Sequence, residues 1–452
     1  MESKSNKYSQ RFGMALAYAG GSPIFLLISG YLVYFYTNVA GLNAAAVATV
    51  LLVSKVLDGF SDIIFGNMID RTRTKMGVCK PWVVRMSAFG VVGIVSLFFS
   101  PNIGDMAKYI YVFVSYNFAN TVVATIYQLA IISLPSYLTR DSKERNIIYI
   151  FANTGQTIMQ VLISFNMFKV ITALGGGQSA WLITTVVISV SAMIITLIGM
   201  LLCKETVNPD EIAAAAGDAA NVPFVTALKS VLANKYWWMI LIFVTLGSGV
   251  YSGTATMTPY FAQYILGDTT IADTLNSCFT FPMMFVTPLL AFIVSKVGKR
   301  NIALTGAILI SIGCLITCFT SNLTLLCVAA VLKSVGVGCP TAVYAAMLAD
   351  AIEYGQWKTG VRNQAVLMGA QSAGGKIGAG VISAILSYGM AFAGYDGMAA
   401  VQSESALASI SALYSILPLI LGVGMVVILF MYDLDKRFPQ IMAELAEREG
   451  RK

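Results

Sequence analysis

Apolar runs long enough to cross a bilayer recur from one end of this chain to the other. A spanning helix needs about 20 mostly apolar residues. In lipid, every backbone N–H and C=O must be paired within the protein, so only helices and closed barrels can span. The runs here have helical length. Twelve spans are read, at about 12–39, 43–68, 82–100, 107–137, 147–173, 180–203, 236–266, 272–295, 301–320, 323–349, 363–393 and 406–432. The longest polar connection, 204–235, carries Glu205, Asp210, Glu211, Asp218 and an Ala-rich run. It divides the chain into an N-terminal six-helix bundle over 1–203, a central cytoplasmic loop over 204–235, a C-terminal six-helix bundle over 236–433 and a cytoplasmic tail over 434–452. The expected fold class is therefore an all-α membrane protein of twelve transmembrane helices, with two six-helix bundles around a central cavity. The Asp70–Gly77 and Ser295–Arg300 loops echo one another weakly, as repeated halves would.

Only 11% of residues are charged and 57% are apolar, whereas a soluble domain carries about a quarter charged residues. The net charge of +7 could suggest nucleic acid, but its distribution does not. Positive residues fill alternate connections: Arg71, Arg73, Lys75, Lys80 and Arg85; then Arg140, Lys143 and Arg145; then Lys204, Lys229 and Lys235; then Lys296, Lys299 and Arg300; then Lys358 and Arg362; and the tail. Of the intervening connections, 101–108 holds only Lys108, and those around 173–180, 320–323 and 390–404 hold none. This is the positive-inside pattern. It places both termini in the cytoplasm of a cell-membrane protein, with Lys4, Lys7 and Arg11 ahead of a retained first helix. The five tryptophans, Trp82, Trp181, Trp237, Trp238 and Trp357, fall at span boundaries and are expected to anchor at the interface.

The seven cysteines are scattered, with no disulfide or zinc spacing, and histidine is absent. With no nucleophile–base arrangement and no cofactor motif, neither an enzyme nor a cofactor is expected. The glycines at 369, 374, 375, 378 and 380 follow no strand and match no phosphate loop, so they read as close helix packing.

Against this background two acids stand out. Asp58 and Asp62 lie deep in an apolar span, and residues four apart share a helix face. A charged Asp at the centre of a membrane helix costs roughly 2.5–3.5 kcal/mol on insertion scales, and two on one face repel. A cation or proton between them would relieve both penalties, which points to a cation-coupled transporter. A pair neutralised by Lys55, with no transported ion, is the plainer reading. Lys376 and Lys333 are also mid-span, and intramembrane lysines are functional candidates by default. Lys169, near a helix end, can snorkel. Tyr127 and Tyr344 could stack on a sugar ring, although packing is the commoner use of tyrosine in apolar helices.

The segment from Asp58 to Trp82, DGFSDIIFGNMIDRTRTKMGVCKPW, resembles the signature of the glycoside–pentoside–hexuronide:cation symporters. That family is a branch of the major facilitator superfamily typified by melibiose and glucuronide permeases. Three more segments are similar: YFYTNVAGL from Tyr34, DAIEYGQWKTGVR from Asp350 and QSAGGKIG from Gln371. The resemblance implies a major facilitator fold and symport by alternating access, driven by Na⁺ or H⁺. It implies a cation site of Asp58, Asp62, Ser61 and Thr125, with Lys55 at a basic position able to pair with Asp58. Carboxylate, hydroxyl and carbonyl oxygens suit a hard cation.

The sugar positions depart from the melibiose pattern. Ser22 and Gln128 stand where carboxylates are expected, Asn153 replaces an arginine and Thr341 a tryptophan, while Ser372 and Lys376 are retained. The substrate set is therefore Ser22, Tyr127, Gln128, Asn153, Thr341, Tyr344, Ser372 and Lys376. An α-galactoside does not fit it. A lysine without nearby acids favours an acidic glycoside such as a hexuronide, through a charge-assisted hydrogen bond. Asp70, Arg71, Arg73, Arg145 and Arg362 are expected to form an inner gate with the 355–362 loop. The partners expected are a small-molecule substrate and the lipid bilayer, with no nucleic acid, and the chain is expected to be a monomer. Competing readings are a transporter of a non-sugar amphiphile (a lysolipid, steroid or other organic solute) on the same machinery, and a membrane sensor. The lack of a sizeable soluble domain counts against the sensor.

Overall fold

The computed structural model describes residues 4–207, 229–359, 364–399 and 401–450. Most of the central loop, and Arg362 of the expected gate, lie outside the described residues. Among those described, the chain is helical throughout. The N-terminal half holds α1 (Lys4–Gly30, continued by Leu32–Tyr34 and a π-helical end Phe35–Val39), α2 (Ala44–Asp70), α3 (Lys80–Leu97), α4 (Asp105–Tyr116, a π-helical Asn117–Ala124, then Thr125–Leu138), α5 (Ser142–Ala173) and α6 (Gln178–Leu202). The C-terminal half holds α7 (Lys235–Tyr264), α8 (Ile271–Val297), α9 (Lys299–Phe319), α10 (Leu323–Thr359), α11 (Gln364–Phe392) and α12 (Glu404–Met431), followed by α13 (Leu434–Gly450). Ten spans among the described residues are long and apolar enough to cross a membrane. The other two long helices are α2, whose middle holds Lys55, Asp58 and Asp62, and α8.

Helix starts follow local chemistry. The side chains of Asn43, Asp141, Asn234 and Ser403 accept backbone N–H groups of the first turns of α2, α5, α7 and α12. At α3 a distant carboxylate does this work. Glu205 accepts the backbone N–H groups of Val78, Cys79 and Lys80 at 2.7, 2.9 and 2.7 Å, placing a negative charge at the positive end of the helix. Gly77 (φ +111°) permits the approach, since a Cβ there would lie 2.3 Å from that carboxylate.

Each half is packed through small residues, because lipid supplies no hydrophobic force between helices and close backbone contact must do so. A Cβ on Gly155 of α5 would sit 2.2 Å from the Ala15 carbonyl of α1. Gly374 and Gly378 of α11 face Leu241 and Thr245 of α7, and Gly380 faces Lys55 of α2, which bears out the packing reading of these three.

The halves meet along α2–α11, α5–α8 and α1–α7. The end of the molecule away from the termini is stitched across this seam. Tyr34 donates to Gln263 at 2.6 Å, and Asn38 donates to Gln263 and Tyr264 at 3.0 and 2.9 Å. Tyr395 donates to Asn38 at 2.6 Å, and the Thr37 and Tyr260 hydroxyls lie 2.8 Å apart. Beside them the fully buried Asp273 of α8 accepts the backbone N–H groups of Phe168 and Lys169 of α5 at 3.0 and 2.9 Å.

One expectation is corrected. Trp181 is not an interfacial anchor. It is 1% exposed and stacks on Phe98 at 5.6 Å among Phe35, Tyr34 and Phe168, and Trp237 is buried as well. Within the segment expected as the tail, Leu434–Gly450 is helical. Leu434, Ile441 and Leu445 share one face and are buried, and the Trp357 indole of α10 donates to Glu444 at 2.7 Å.

Candidate functional site

Asp58 lies near the middle of α2 and is 2% exposed. Its Oδ2 accepts from the amide of Asn120 on α4, with Lys55 Nζ at 3.5 Å. Its Oδ1 is buried and has no hydrogen-bond partner among the described residues. One turn on, Asp62 is partly exposed and accepts from Lys376 Nζ of α11 at 2.6 Å. Each carboxylate thus has its own lysine, one from the same helix and one from the opposite half. Two aspartates and two lysines balance in charge, which removes most of the repulsion that an unpaired pair of acids would suffer.

The remaining expected cation ligands are close but otherwise engaged. Ser61 is buried and its hydroxyl donates to the Asp58 backbone carbonyl at 2.8 Å. Thr125 is buried on α4 and donates to the Asn120 carbonyl at 3.2 Å, so it reaches Asp58 only through Asn120. The sequence reading missed the neighbours that complete this interface. Asn117 donates to Ser54 Oγ and to the Phe113 carbonyl, each at 2.8 Å, and Thr121 donates to Asn117 at 3.1 Å. Polar residues at 117, 120 and 121 in an otherwise apolar run are a readable signal, since i, i+3 and i+4 share a face. π-helical turns inside α-helices are frequent at functional sites, and this one carries all three residues.

The substrate candidates separate into two groups. Ser22 is 1% exposed, with its hydroxyl on the Ala19 carbonyl at 2.9 Å. Tyr127 is buried against Gly21, and its hydroxyl donates to the Ala17 carbonyl at 2.6 Å. Both pack inside the N-terminal bundle, where Tyr127 also lines a small cleft with Gly20, Gly21, Ser87 and Ser189. Gln128, Asn153, Thr341 and Ser372 are exposed and Tyr344 is half-buried, with no hydrogen bond joining any two of these. Of the gate residues, Arg71 and Arg73 are exposed and Arg145 is half-buried, while nothing is described of the Asp70 side chain. Lys333 does not approach this site. It is fully buried between α9, α10 and α12, its stem against Gly313 and its Nζ 4.7 Å from the ring centre of Tyr414.

A helical pair of bundles, with paired carboxylates and lysines at the seam between them, suits movement of a charged species rather than bond chemistry. The family model described as MFS/sugar transport protein matches residues 15–436. An isoprimeverose transporter of Lactiplantibacillus pentosus is 29% identical over 98% of this chain and 92% of its own length. A glucuronide carrier protein homologue of Escherichia coli (strain K12) is 24% identical over 97% and 95%. The solved structure of a bacterial homologue of the human lysosomal transporter Spinster aligns over 97% of both chains with a TM-score of 0.67; its 13% identity speaks to the fold alone. The chain belongs to the MFS/sugar transport protein family, the glycoside–pentoside–hexuronide:cation symporters, and is a multi-pass membrane transporter of the major facilitator fold, not an enzyme.

Proposed function

We propose that this protein takes up a glycoside together with one monovalent cation, Na⁺ or H⁺, that binds between Asp58 and Asp62. The observation that carries this reading is the Asp62–Lys376 ion pair, which joins the cation helix of one half to the substrate helix of the other. A cation entering at Asp62 competes with Lys376 for the carboxylate. The released ammonium becomes a donor for the sugar, next to Ser372, with Gln128, Asn153 and Thr341 offering further hydroxyl and amide groups. Cation and sugar are thus coupled through one side chain, and the coupling is reciprocal by linkage. Inward movement of one charge supplies about 2.3 kcal/mol per 100 mV.

The termini face the cytoplasm in this reading, so the stitched far end is the outer gate and is closed here. Labelling from outside should reach a cysteine at Asn102 and miss one at Lys143; the opposite result inverts the topology. The resident membrane is the inner or plasma membrane, as the name of a related inner membrane symporter suggests.

Charge counting narrows the substrate. The four charged groups cancel when the site is empty, and one bound cation leaves an excess of +1 in a partly buried cavity. A substrate carboxylate would cancel it, which favours an acidic glycoside, and the glucuronide carrier homologue is consistent with that. The isoprimeverose relative favours a second reading, a neutral disaccharide. Proteoliposome uptake of paired glucosides and glucuronides under Na⁺, Li⁺ or an inward proton gradient tests both. The acid reading expects preference for the glucuronide, weakened in Lys376→Gln. Equal uptake of the pair, or a preference unchanged in that variant, removes it. Absence of any cation stimulation across the panel removes the symport reading itself.

A further inference from the structure

The hydrogen bond from Asn120 to Asp58 is the only direct side-chain link to Asp58 described from another helix, and Asn120 lies in a π-helical turn. Over Asn117–Ala124, α4 is π-helical, and the N–H of Thr125 reaches back to the carbonyl of Asn120. Asn117 and Asn120, three residues apart, both face α2. Asn117 meets Ser54 and Asn120 meets Asp58, and Ser54 and Asp58 are themselves one turn apart. Asn120 is 7% exposed, and Thr125 further fixes its backbone through its hydroxyl. The backbone of Asn120 is therefore held by Thr125, while its side-chain amide is held through its nitrogen by Asp58. Meanwhile Asp58 Oδ1 is buried and unpaired. An unmet buried carboxylate oxygen is costly, so Oδ1 is an available acceptor beside the amide.

We infer that Asn120 is a positioning residue and a further ligand of the coupling cation, an inference that rests on the cation site proposed above. A side-chain amide has two donors on nitrogen and an acceptor on oxygen. Without a cation, the NH₂ group donates to Asp58 Oδ2 and fixes the carboxylate, leaving Oδ1 to accept. With a cation bound, an NH₂ group aimed at it is repulsive, and rotation of the amide presents its oxygen as a neutral ligand. Oxygen ligands suit alkali cations. Asn120 thereby adds affinity for a metal cation without adding negative charge. A carboxylate at that position would instead be a second acid beside Asp58, an arrangement that favours binding a proton. The residue is thus placed to set which cation drives transport.

The experiment compares Asn120→Ala, Asn120→Ser and Asn120→Asp with Asp58→Asn in proteoliposomes, reading the Na⁺ and Li⁺ concentrations for half-activation of uptake and, separately, the substrate KM at saturating cation. Asn120→Ala is expected to raise half-activating Na⁺ at least tenfold with substrate KM little changed. Asn120→Ser, which keeps a short oxygen, is expected to fall between Ala and parent. Asn120→Asp is expected to shift the driving cation from Na⁺ and Li⁺ towards the proton. If Asn120→Ala fails to fold, the Ser and Asp variants carry the same comparison through order of affinity and cation preference. Half-activation within twofold of parent in every folded Asn120 variant, while Asp58→Asn loses cation stimulation, overturns the assignment and leaves the cation site standing. Full cation stimulation in Asp58→Asn overturns the site, and the role of Asn120 with it.

Discussion

Asp58 in the N-terminal half and Lys333 in the C-terminal half are both almost wholly buried in apolar helices, and their surroundings differ sharply. Asp58 lies between α2 and α4, among an amide, a lysine and a ladder of hydroxyls, one turn from Asp62, which pairs with Lys376 of α11 across the seam between the halves. Lys333 lies inside one half, between α9, α10 and α12, with no hydrogen bond on its ammonium and a tyrosine ring below it. Burial alone therefore does not mark function. Polar partners that can be exchanged, next to an ion pair that crosses the seam between the halves, are what separate the two residues. Lys333, with only a ring beneath its ammonium, has nothing of that kind to exchange with.

The largest effects test the seam side of this contrast. Asp58→Asn and Asp62→Asn are expected to abolish cation-stimulated uptake while the protein remains folded, because asparagine keeps the size of each side chain and an oxygen that accepts the same hydrogen bond. Cation-dependent accumulation at the parent level in both variants would place the coupling site elsewhere. Lys376→Gln is expected to show a split. Asp62 loses its competitor, so the cation should bind more tightly by calorimetry or thermal shift, while maximal uptake falls roughly tenfold or more, a loss of about 1.4 kcal/mol or greater. Weaker cation binding together with slower uptake would mean that Lys376 supports the site rather than competing for it.

A smaller effect is expected at the far seam. Asp273 holds two backbone N–H groups of α5, and breaking a contact made in only one conformation shifts the balance between states by the free energy of that contact alone. Asp273→Ala should open the far end more often. A cysteine at Ala40, in a background without the seven native cysteines, should then react several-fold faster with an impermeant maleimide, about the effect of one or two charge-assisted hydrogen bonds. An unchanged labelling rate would show that the tyrosine and amide contacts hold the gate without Asp273.

How much of this was legible in the sequence depends on what each feature rests upon. The helices were, because length and apolarity are forced by the bilayer. Asp58, Asp62 and Lys376 were, because charge is scarce in such helices and each one needs a reason. The partner of Asp58 was legible only in part, because the polar spacing at 117, 120 and 121 marks a face but not which of the three meets Asp58. A regular α-helix through 117–125 does not predict a π turn, and packing against α2, not local propensity, decides it. That register is why Thr125, expected at the site, stands behind Asn120. The placement of Trp181 was hidden for a similar reason: an aromatic residue at a span boundary suits the lipid interface and an aromatic core equally. The direction of Lys333 was hidden because α10 is apolar on most of its circumference and gives no amphipathic clue to its rotation.

Lys333→Met tests the quiet side of the comparison and should have the smallest effect. An intramembrane lysine costs roughly 2.5–3.5 kcal/mol on insertion scales, and a desolvated cation–π contact returns about 2 kcal/mol. With no hydrogen bond on Nζ, the ammonium is a net burden of about 1 kcal/mol, the difference of those figures. Methionine keeps a long unbranched stem against Gly313 and the Tyr414 ring, and a sulfur near an aromatic ring is itself favourable. The variant should transport at the parent rate, keep the same half-activating cation concentration, and melt at the same temperature or a few degrees higher. Lys333→Ala is the control for packing, because it leaves a cavity where the stem was and should lower the melting temperature. Loss of transport in Lys333→Met with an unchanged melting temperature would show that this buried ammonium does exchange partners during the cycle, and the distinction drawn between the seam and the bundle interior would fail.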